Sequence, residues 1–197
     1  MTVANTYVGV KGAWSVELNK PMPNVTYNVV AQVDGGLQNM FTLKMDTNGH
    51  FESAKGHIVS ALVGDMNRNG YQQRRAGWLG GPGYDGGHAT PSFFGFIGER
   101  GGVFPQHEWQ NRKAGTPNEL DEANNFHDTE MEVIKEVKTR LQSGAPLDLR
   151  WEMELVPSSK PGLPSNLRLR YNFAGEEIER VRFNNLNTDG NLADARE

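Results

Sequence analysis

Residues 77–102 restrict most strongly what this 197-residue chain can fold into, because ten of these 26 residues are glycine. Such a density disfavours long regular elements and favours backbone that bends sharply or approaches another group closely. The chain has no cysteine, which excludes disulfides, thiolate zinc sites and cysteine nucleophiles. No apolar run approaches the roughly 20 residues of a membrane-spanning helix. The sequence therefore predicts a globular protein without a membrane partner.

Alternating apolar residues predict strands at residues 27–33 and 39–45, joined across a Gly-Gly turn, and a third strand near residues 57–63. Two further strands are predicted at residues 147–156 and 167–173. Together with one long helical segment, these strands predict an α+β fold in which one main helix packs against an antiparallel sheet.

The main helix is predicted from about Asn118 to Gln142. Acidic residues fill its first turns and basic residues its last, as the helix dipole favours. Its apolar face contains Phe126 and Ile134, and Glu130 lies between them on that same face. A carboxylate in an apolar stripe needs a partner when it is buried, so Glu130 is a candidate functional residue.

We expect one domain over residues 1–197, with a core from about 20 to 183 and a flexible polar tail over 184–197. The N-terminus lacks the basic patch and apolar run of a signal peptide. The net charge of −4 argues against a polyanion as partner, since proteins that bind phosphate backbones usually have a basic surface. Basic residues nevertheless cluster before the glycine-rich segment, at Arg68, Arg74 and Arg75.

The five histidines include one in an unusual setting. None of them has the spacing of a known metal-binding motif, which disfavours a zinc hydrolase. His88 directly follows two glycines, which leave its ring accessible to a large ligand, and Asp85 is close enough along the chain to orient the ring. From these residues alone, a functional imidazole and a loop histidine without a role both remain open.

Two segments resemble the core of the DNA/RNA non-specific endonucleases, and most closely the branch found as toxin domains in bacteria. They are residues 68–73, Arg-Asn-Gly-Tyr-Gln-Gln, and residues 80–88, Gly-Gly-Pro-Gly-Tyr-Asp-Gly-Gly-His. The hallmark of that family is Asp-x-Gly-His, followed by Pro-Gln, four residues and Asn, and later by a Glu on a helix. Pro105-Gln106 and Asn111 keep this spacing. The resemblance covers most of residues 20–175.

The resemblance implies a ββα-metal (His-Me finger) core and metal-dependent, sequence-independent hydrolysis of phosphodiester bonds in DNA, with RNA as a further substrate. The implied metal is Mg²⁺, with Mn²⁺ as a substitute. By position, His88 resembles the general base and Asn111 the single protein ligand of the metal. The acid that holds the metal's waters is a Glu of the main helix, and the place of Glu130 on the apolar face favours it over the alternatives Glu119 and Glu122. Arg68 resembles the arginine that clamps the phosphate.

One departure from the family pattern is clear, because the hallmark arginine is replaced by Gly86. The missing charge must then come from Arg68 or from the predicted nucleic-acid-binding residues Arg74, Arg75 and Arg112, or be absent. The resemblance further implies a bacterial effector that is secreted or delivered into the cytoplasm of a target cell, and a cognate immunity protein as partner. The alternative is a non-catalytic binding module of the same fold, whose glycine-rich loop contacts a ligand or a protein.

Overall fold

The computed structural model describes residues 2–62, 68–113 and 125–186. The strands in these ranges are β1 (Thr2–Tyr7), β2 (Val25–Gln32), β3 (Gln38–Met45), β4 (Phe51–Ile58), β5 (Tyr84–His88), β6 (Val103–His107), β7 (Leu149–Pro157), β8 (Pro164–Phe173) and β9 (Glu179–Asn184). The α-helices in these ranges are α1 (Val16–Asn19), α2 (Gly70–Gly80), α3 (Glu108–Arg112) and α4 (Phe126–Ser143). None of the helices in the described ranges is long and apolar enough to cross a membrane.

Seven strands form one mixed sheet in the order β1-β2-β3-β4-β7-β8-β9, and β5 pairs with β6 in a separate two-stranded sheet. Strand β1 runs parallel to β2, whereas all other neighbours are antiparallel. The predicted antiparallel sheet with one main helix is therefore wrong, because the protein is mostly β and α2 is a second substantial helix. The direction in which two strands pair depends on the path of the chain between them, and no local pattern in β1 encodes it.

The large sheet buries one face and exposes the other, as its alternating residues require. Trp151 lies at the centre of the buried face and makes edge-to-face contacts with Phe94 and with Phe126 of α4, both at 6.4 Å between ring centroids. Its indole nitrogen donates a hydrogen bond of 3.0 Å to the carbonyl of Ala89, the residue that follows β5. The core therefore holds the end of β5 against the sheet.

Several predicted boundaries need correction. The strand predicted at 57–63 is β4, which ends at Ile58, and the glycine-rich segment contains the end of α2 and all of β5. Helix α4 begins at Phe126 with Asn125 as its N-cap, and the predicted helical residues 118–124 lie outside the described ranges. Glycines mark close packing here, which their effect on helix and strand propensity alone does not reveal.

The first residues of the predicted tail, which was expected to be flexible over 184–197, are packed against the rest of the structure. Asn184, Asn185 and Leu186 are buried, and residues 187–197 lie outside the described ranges. The side chain of Asn185 accepts a hydrogen bond of 2.8 Å from the backbone N–H of His107 and donates to the carbonyls of Pro105 at 2.9 Å and Pro164 at 3.0 Å. These bonds attach β6 to the edge of the large sheet, a contact that the polar sequence around Asn185 did not suggest.

Helix α2 packs directly on the backbone of β5 because glycines occupy the contact. A Cβ atom on Gly86 would lie 2.1 Å from the carbonyl oxygen of Gln73, and one on Gly77 would lie 2.8 Å from the carbonyl oxygen of Tyr84. No side chain fits between the helix and the strand at either position. The absence of the family's arginine at position 86 therefore has a steric cause.

We expect Gly86→Ala to lower the free energy of unfolding by at least about 2 kcal/mol, because the added methyl group overlaps backbone that cannot move without shifting α2. Gly70→Ala is the matched control, since a Cβ there meets only the end of the Arg74 side chain at 3.5 Å. Urea unfolding of both variants measures the difference. Equal stability of the two variants would contradict the direct packing of α2 on β5.

Candidate catalytic site

His88 is the last residue of β5, and its side chain lies on the face of the strand that α2 covers. It shares this face with Gly86, because alternate residues of a strand point to the same side. The Gln73 side-chain amide of α2 approaches the His88 ring, with its nitrogen 3.5 Å from Nδ1. The other ring nitrogen, Nε2, is buried and has no hydrogen-bond partner in the part of the chain that the structure describes. A buried polar atom without a partner is costly, so Nε2 is positioned for a ligand or a water molecule.

Arg68 directly precedes α2, and its charge acts on two buried titratable groups. Its Nε donates a hydrogen bond of 3.3 Å to the Ser92 hydroxyl. The same guanidinium interacts electrostatically with His88 and with Glu130, which lies one turn into α4. Three residues that are 20 and 42 positions apart along the sequence, 68 to 88 and 88 to 130, are thereby brought into one electrostatic cluster.

Burial shifts the pKa values of the two titratable groups in opposite directions. Burial, and to a smaller extent the charge of Arg68, lower the pKa of His88 to about 4, so the imidazole is neutral at pH 7. Burial also raises the pKa of Glu130 to about 8, although Arg68 opposes this shift. No hydrogen bond or ion pair from the described residues reaches the Glu130 carboxyl group. Titratable groups whose pKa values are shifted by burial and by a common charged residue are typical of functional sites.

A second polar cluster lies around Asp85. The Asn111 Nδ2 donates a hydrogen bond of 3.2 Å to Asp85 Oδ2, and the Arg112 Nε donates one of 2.6 Å to the same oxygen. Arg112 also forms an ion pair of 3.2 Å with Glu108, so two carboxylates compensate its charge. Because Asp85 binds the amide nitrogen of Asn111, the amide oxygen is left available to another ligand.

The predicted role of Asp85 as the residue that orients His88 is not what the structure shows. Asp85 and His88 are three positions apart in a strand and therefore point to opposite faces. The side chain beside the His88 ring is Gln73. No local pattern in the sequence indicates this role for Gln73, which lies in the segment that resembles the nuclease family.

The helices that carry Asn111 and Glu130 are joined by hydrogen bonds. The backbone N–H of Phe126, the first residue of α4, donates to the side-chain oxygen of Gln110 at 2.9 Å, and the Asn125 amide donates to the carbonyl of Trp109. Among the described residues, no hydrogen bond or ion pair links the Asp85 cluster directly to His88. The two clusters are connected through β5, which carries both Asp85 and His88, and through the hydrogen bonds between α3 and α4.

The predicted arginines differ in how available their charges are. Arg112 is paired with Asp85 and Glu108, whereas Arg74 and Arg75 are exposed on the outer face of α2. Neither of these two forms an ion pair with a described residue. Arg68 is the arginine whose charge reaches His88, so it is the one that can replace the charge missing at Gly86.

The oxygen donors of the site suit a hard, largely hydrated cation. Within the described ranges, no three or more histidine and carboxylate side chains group closely enough to hold a metal ion. Mg²⁺ needs no such group, because it keeps most of its waters and binds through one or two oxygen ligands. The amide oxygen of Asn111 and the carboxyl group of Glu130 are oxygen donors of this kind, so by donor type the residues present fit the implied metal. The two donors belong to different clusters, since Asn111 bonds to Asp85, which faces the opposite side of β5 from His88.

Comparison of the chain with protein-family models and with curated proteins found no match. Any conclusion about activity therefore depends on the chemistry of the site and not on the fold.

We expect Glu130→Gln to become more stable relative to the parent protein as the pH rises from 6.5 to 8. Between pH 4.5 and about 8 the folded protein keeps a proton on Glu130 that the unfolded chain has released, so the stability of the parent falls across this window. His88 acts in the opposite direction only below pH 6.5.

The difference in unfolding free energy between Glu130→Gln and the parent protein changes by at most about 1.4 kcal/mol per pH unit. Urea unfolding in the presence of EDTA at several pH values measures it. A stability difference that is independent of pH would contradict the burial of the Glu130 carboxyl group.

Proposed function

We propose that this protein is a metal-dependent, sequence-non-specific endonuclease that hydrolyses phosphodiester bonds in DNA, with RNA as a further substrate. The observation that carries the proposal is that the charge of Arg68 acts both on a neutral, buried imidazole whose Nε2 has no described partner and on a partly buried carboxyl group without a described partner. Phosphodiester hydrolysis requires a base for the attacking water and fixed positive charge for the phosphoryl oxygens. His88 and Arg68 supply these two groups.

In this proposal Arg68 binds a phosphoryl oxygen of the substrate. Its guanidinium offers paired donors that match phosphate geometry. An anionic phosphate next to His88 compensates the charge of Arg68 and favours the imidazolium, which raises the pKa of His88 towards the range of an effective general base. His88 Nε2, which is buried and without a described partner, then takes the proton of the attacking water.

Asn111 and Glu130 are the proposed metal-binding residues, Asn111 through its amide oxygen and Glu130 through the waters of the ion. Bound Mg²⁺, or Mn²⁺ in its place, supplies positive charge to the developing phosphorane oxygens. Asp85 is a positioning residue in this scheme, because its bond to Nδ2 fixes which atom of the Asn111 amide is free.

The roles assigned to these residues involve phosphate, water and metal, and none involves a base edge. Cleavage without sequence preference follows from such a site.

The resemblance of residues 68–88 to bacterial toxin nucleases supports a further part of the proposal, an effector that acts in the cytoplasm of a target cell and is neutralised in its producer by an immunity protein. The binding-module alternative rests on the negative net charge and on Gly86 in place of the arginine of the resembled family. Against it, Arg68 supplies positive charge that acts on the imidazole of His88 in spite of Gly86.

We expect His88→Ala to reduce the rate of plasmid cleavage in Mg²⁺ by about 100- to 10,000-fold, because the water loses its general base. The matched control is His57→Ala, which removes a partly exposed imidazole that pairs with Asp148 at 3.1 Å. Circular dichroism checks that both variants are folded. Retained cleavage in folded His88→Ala would exclude this mechanism.

We expect Asn111→Ala to raise the Mg²⁺ concentration needed for half-maximal cleavage by about 10- to 100-fold, since the ion loses its direct protein ligand. Asn28→Ala is the control, because Asn28 lies on β2 and bonds to Asn5 at 3.2 Å. A Mg²⁺ titration of initial rates distinguishes the two variants. An unchanged titration in Asn111→Ala would remove Asn111 as the ligand.

A further inference from the structure

The outer face of α2 carries exposed aromatic rings between arginines. This aromatic–arginine stripe consists of Tyr71, Arg74, Arg75 and Trp78. Tyr71 is 56% exposed and Trp78 is 71% exposed, although both are large side chains that a globular protein usually buries at least in part. The opposite face of the helix buries Gln72, Ala76 and Gly77 against β5 and β6, so packing among the described residues leaves the stripe exposed.

The stripe has the chemistry of a surface for an anionic, aromatic ligand. Arg75 lies over the ring of Tyr71 at 5.8 Å from the ring centroid, and Arg74 is one helical turn before Trp78. Helix α2 contains no acidic residue, and no described carboxylate pairs with either arginine. We propose that the stripe binds single-stranded nucleic acid next to the scissile phosphate, with bases stacked on Trp78 and Tyr71 and phosphates bound by Arg74 and Arg75. This proposal rests on the proposed nuclease function.

The position of α2 supports this assignment. The helix starts beside Arg68, and Gln73 contacts the His88 ring. Trp78 follows Gln73 by five residues, which corresponds to about 7.5 Å along the helix axis. Stacked nucleotides in one strand rise by about 3.4 Å each. Five residues also turn the helix by about 140°, so Trp78 lies on the other side of α2 from Gln73. A strand whose phosphate binds at Arg68 and His88 therefore has to curve around α2 before one of its bases reaches Trp78.

Stacking on an exposed ring requires an accessible base face. In a duplex these faces are covered by neighbouring base pairs, whereas unpaired bases stack readily on aromatic side chains. Tryptophan, tyrosine and arginine are also common in protein interfaces, but an interface core is apolar and excludes most charge. Because an uncompensated arginine accompanies each ring here, the charge pattern favours an anionic strand over a protein.

The test measures binding without cleavage, by fluorescence anisotropy of a labelled 12-nucleotide single-stranded DNA in EDTA. We expect Trp78→Ala to weaken binding about 10-fold or more, the effect of removing one stacked base. Trp78→Phe restores most of the affinity, since it keeps an aromatic face. The control Met131→Ala, at a 49% exposed position of α4, binds like the parent protein. An abasic strand of the same length, which keeps the phosphates, binds equally to Trp78→Ala and to the control.

Two results would overturn the inference. One is equal binding of the single strand by Trp78→Ala and Met131→Ala, which is also the result expected if the stripe is a protein-binding surface. The other is an equal loss of affinity for a duplex of the same length. Failure of the parent protein to cleave DNA in Mg²⁺ would contradict the proposed catalysis instead, and leaves the binding result in EDTA unaffected.

Discussion

The direct contact between the backbones of α2 and β5 determines the geometry of the candidate site. Gly77 and Gly86 allow this contact, because a Cβ atom at either position would overlap the opposite backbone. The close approach places the Gln73 amide against the ring of His88 and the start of α2, with Arg68, within electrostatic reach of it. The exposed stripe on the outer face of α2 has its position for the same reason. One helix thus connects the imidazole, the nearby positive charge and the proposed strand-binding surface.

The site combines the burial of titratable groups with the positive charge of Arg68. Burial favours the neutral forms of both His88 and Glu130, and Arg68 reinforces this preference at His88 while opposing it at Glu130. An anionic substrate and a divalent cation are the two ligands whose charges would relieve these costs, the first at Arg68 and His88 and the second at Glu130. The electrostatics of the ligand-free protein therefore complement the two components of the proposed reaction.

Sequence reasoning succeeded where a local pattern carries the information. Strands β2, β3, β7 and β8 were predicted close to their observed bounds from alternation and turn residues, and the apolar stripe of α4 identified Glu130 as an unusual carboxylate. Sequence reasoning failed where strand pairing or side-chain packing depends on residues that are far apart in the chain. The parallel pairing of β1 and the attachment of Asn185 to Pro105 and Pro164 leave no local signature. The prediction of irregular backbone in the glycine-rich segment is wrong, because the segment contains the end of α2 and all of β5. A sequence shows that glycine has a low propensity for helices and strands, but it does not show where glycine allows close packing.

The sequence by itself determined which chemistry is available: no cysteine, one imidazole among glycines, an amide at the expected spacing, and a carboxylate on an apolar helix face. Only the tertiary structure decided which of these groups meet. Asp85 and His88 face opposite sides of β5, because they are three residues apart in a strand, and Asp85 accepts a hydrogen bond from Asn111 instead. The tertiary structure also brings the charge of Arg68 within electrostatic reach of His88 and Glu130. This interaction depends on distance in space, which sequence separation does not specify.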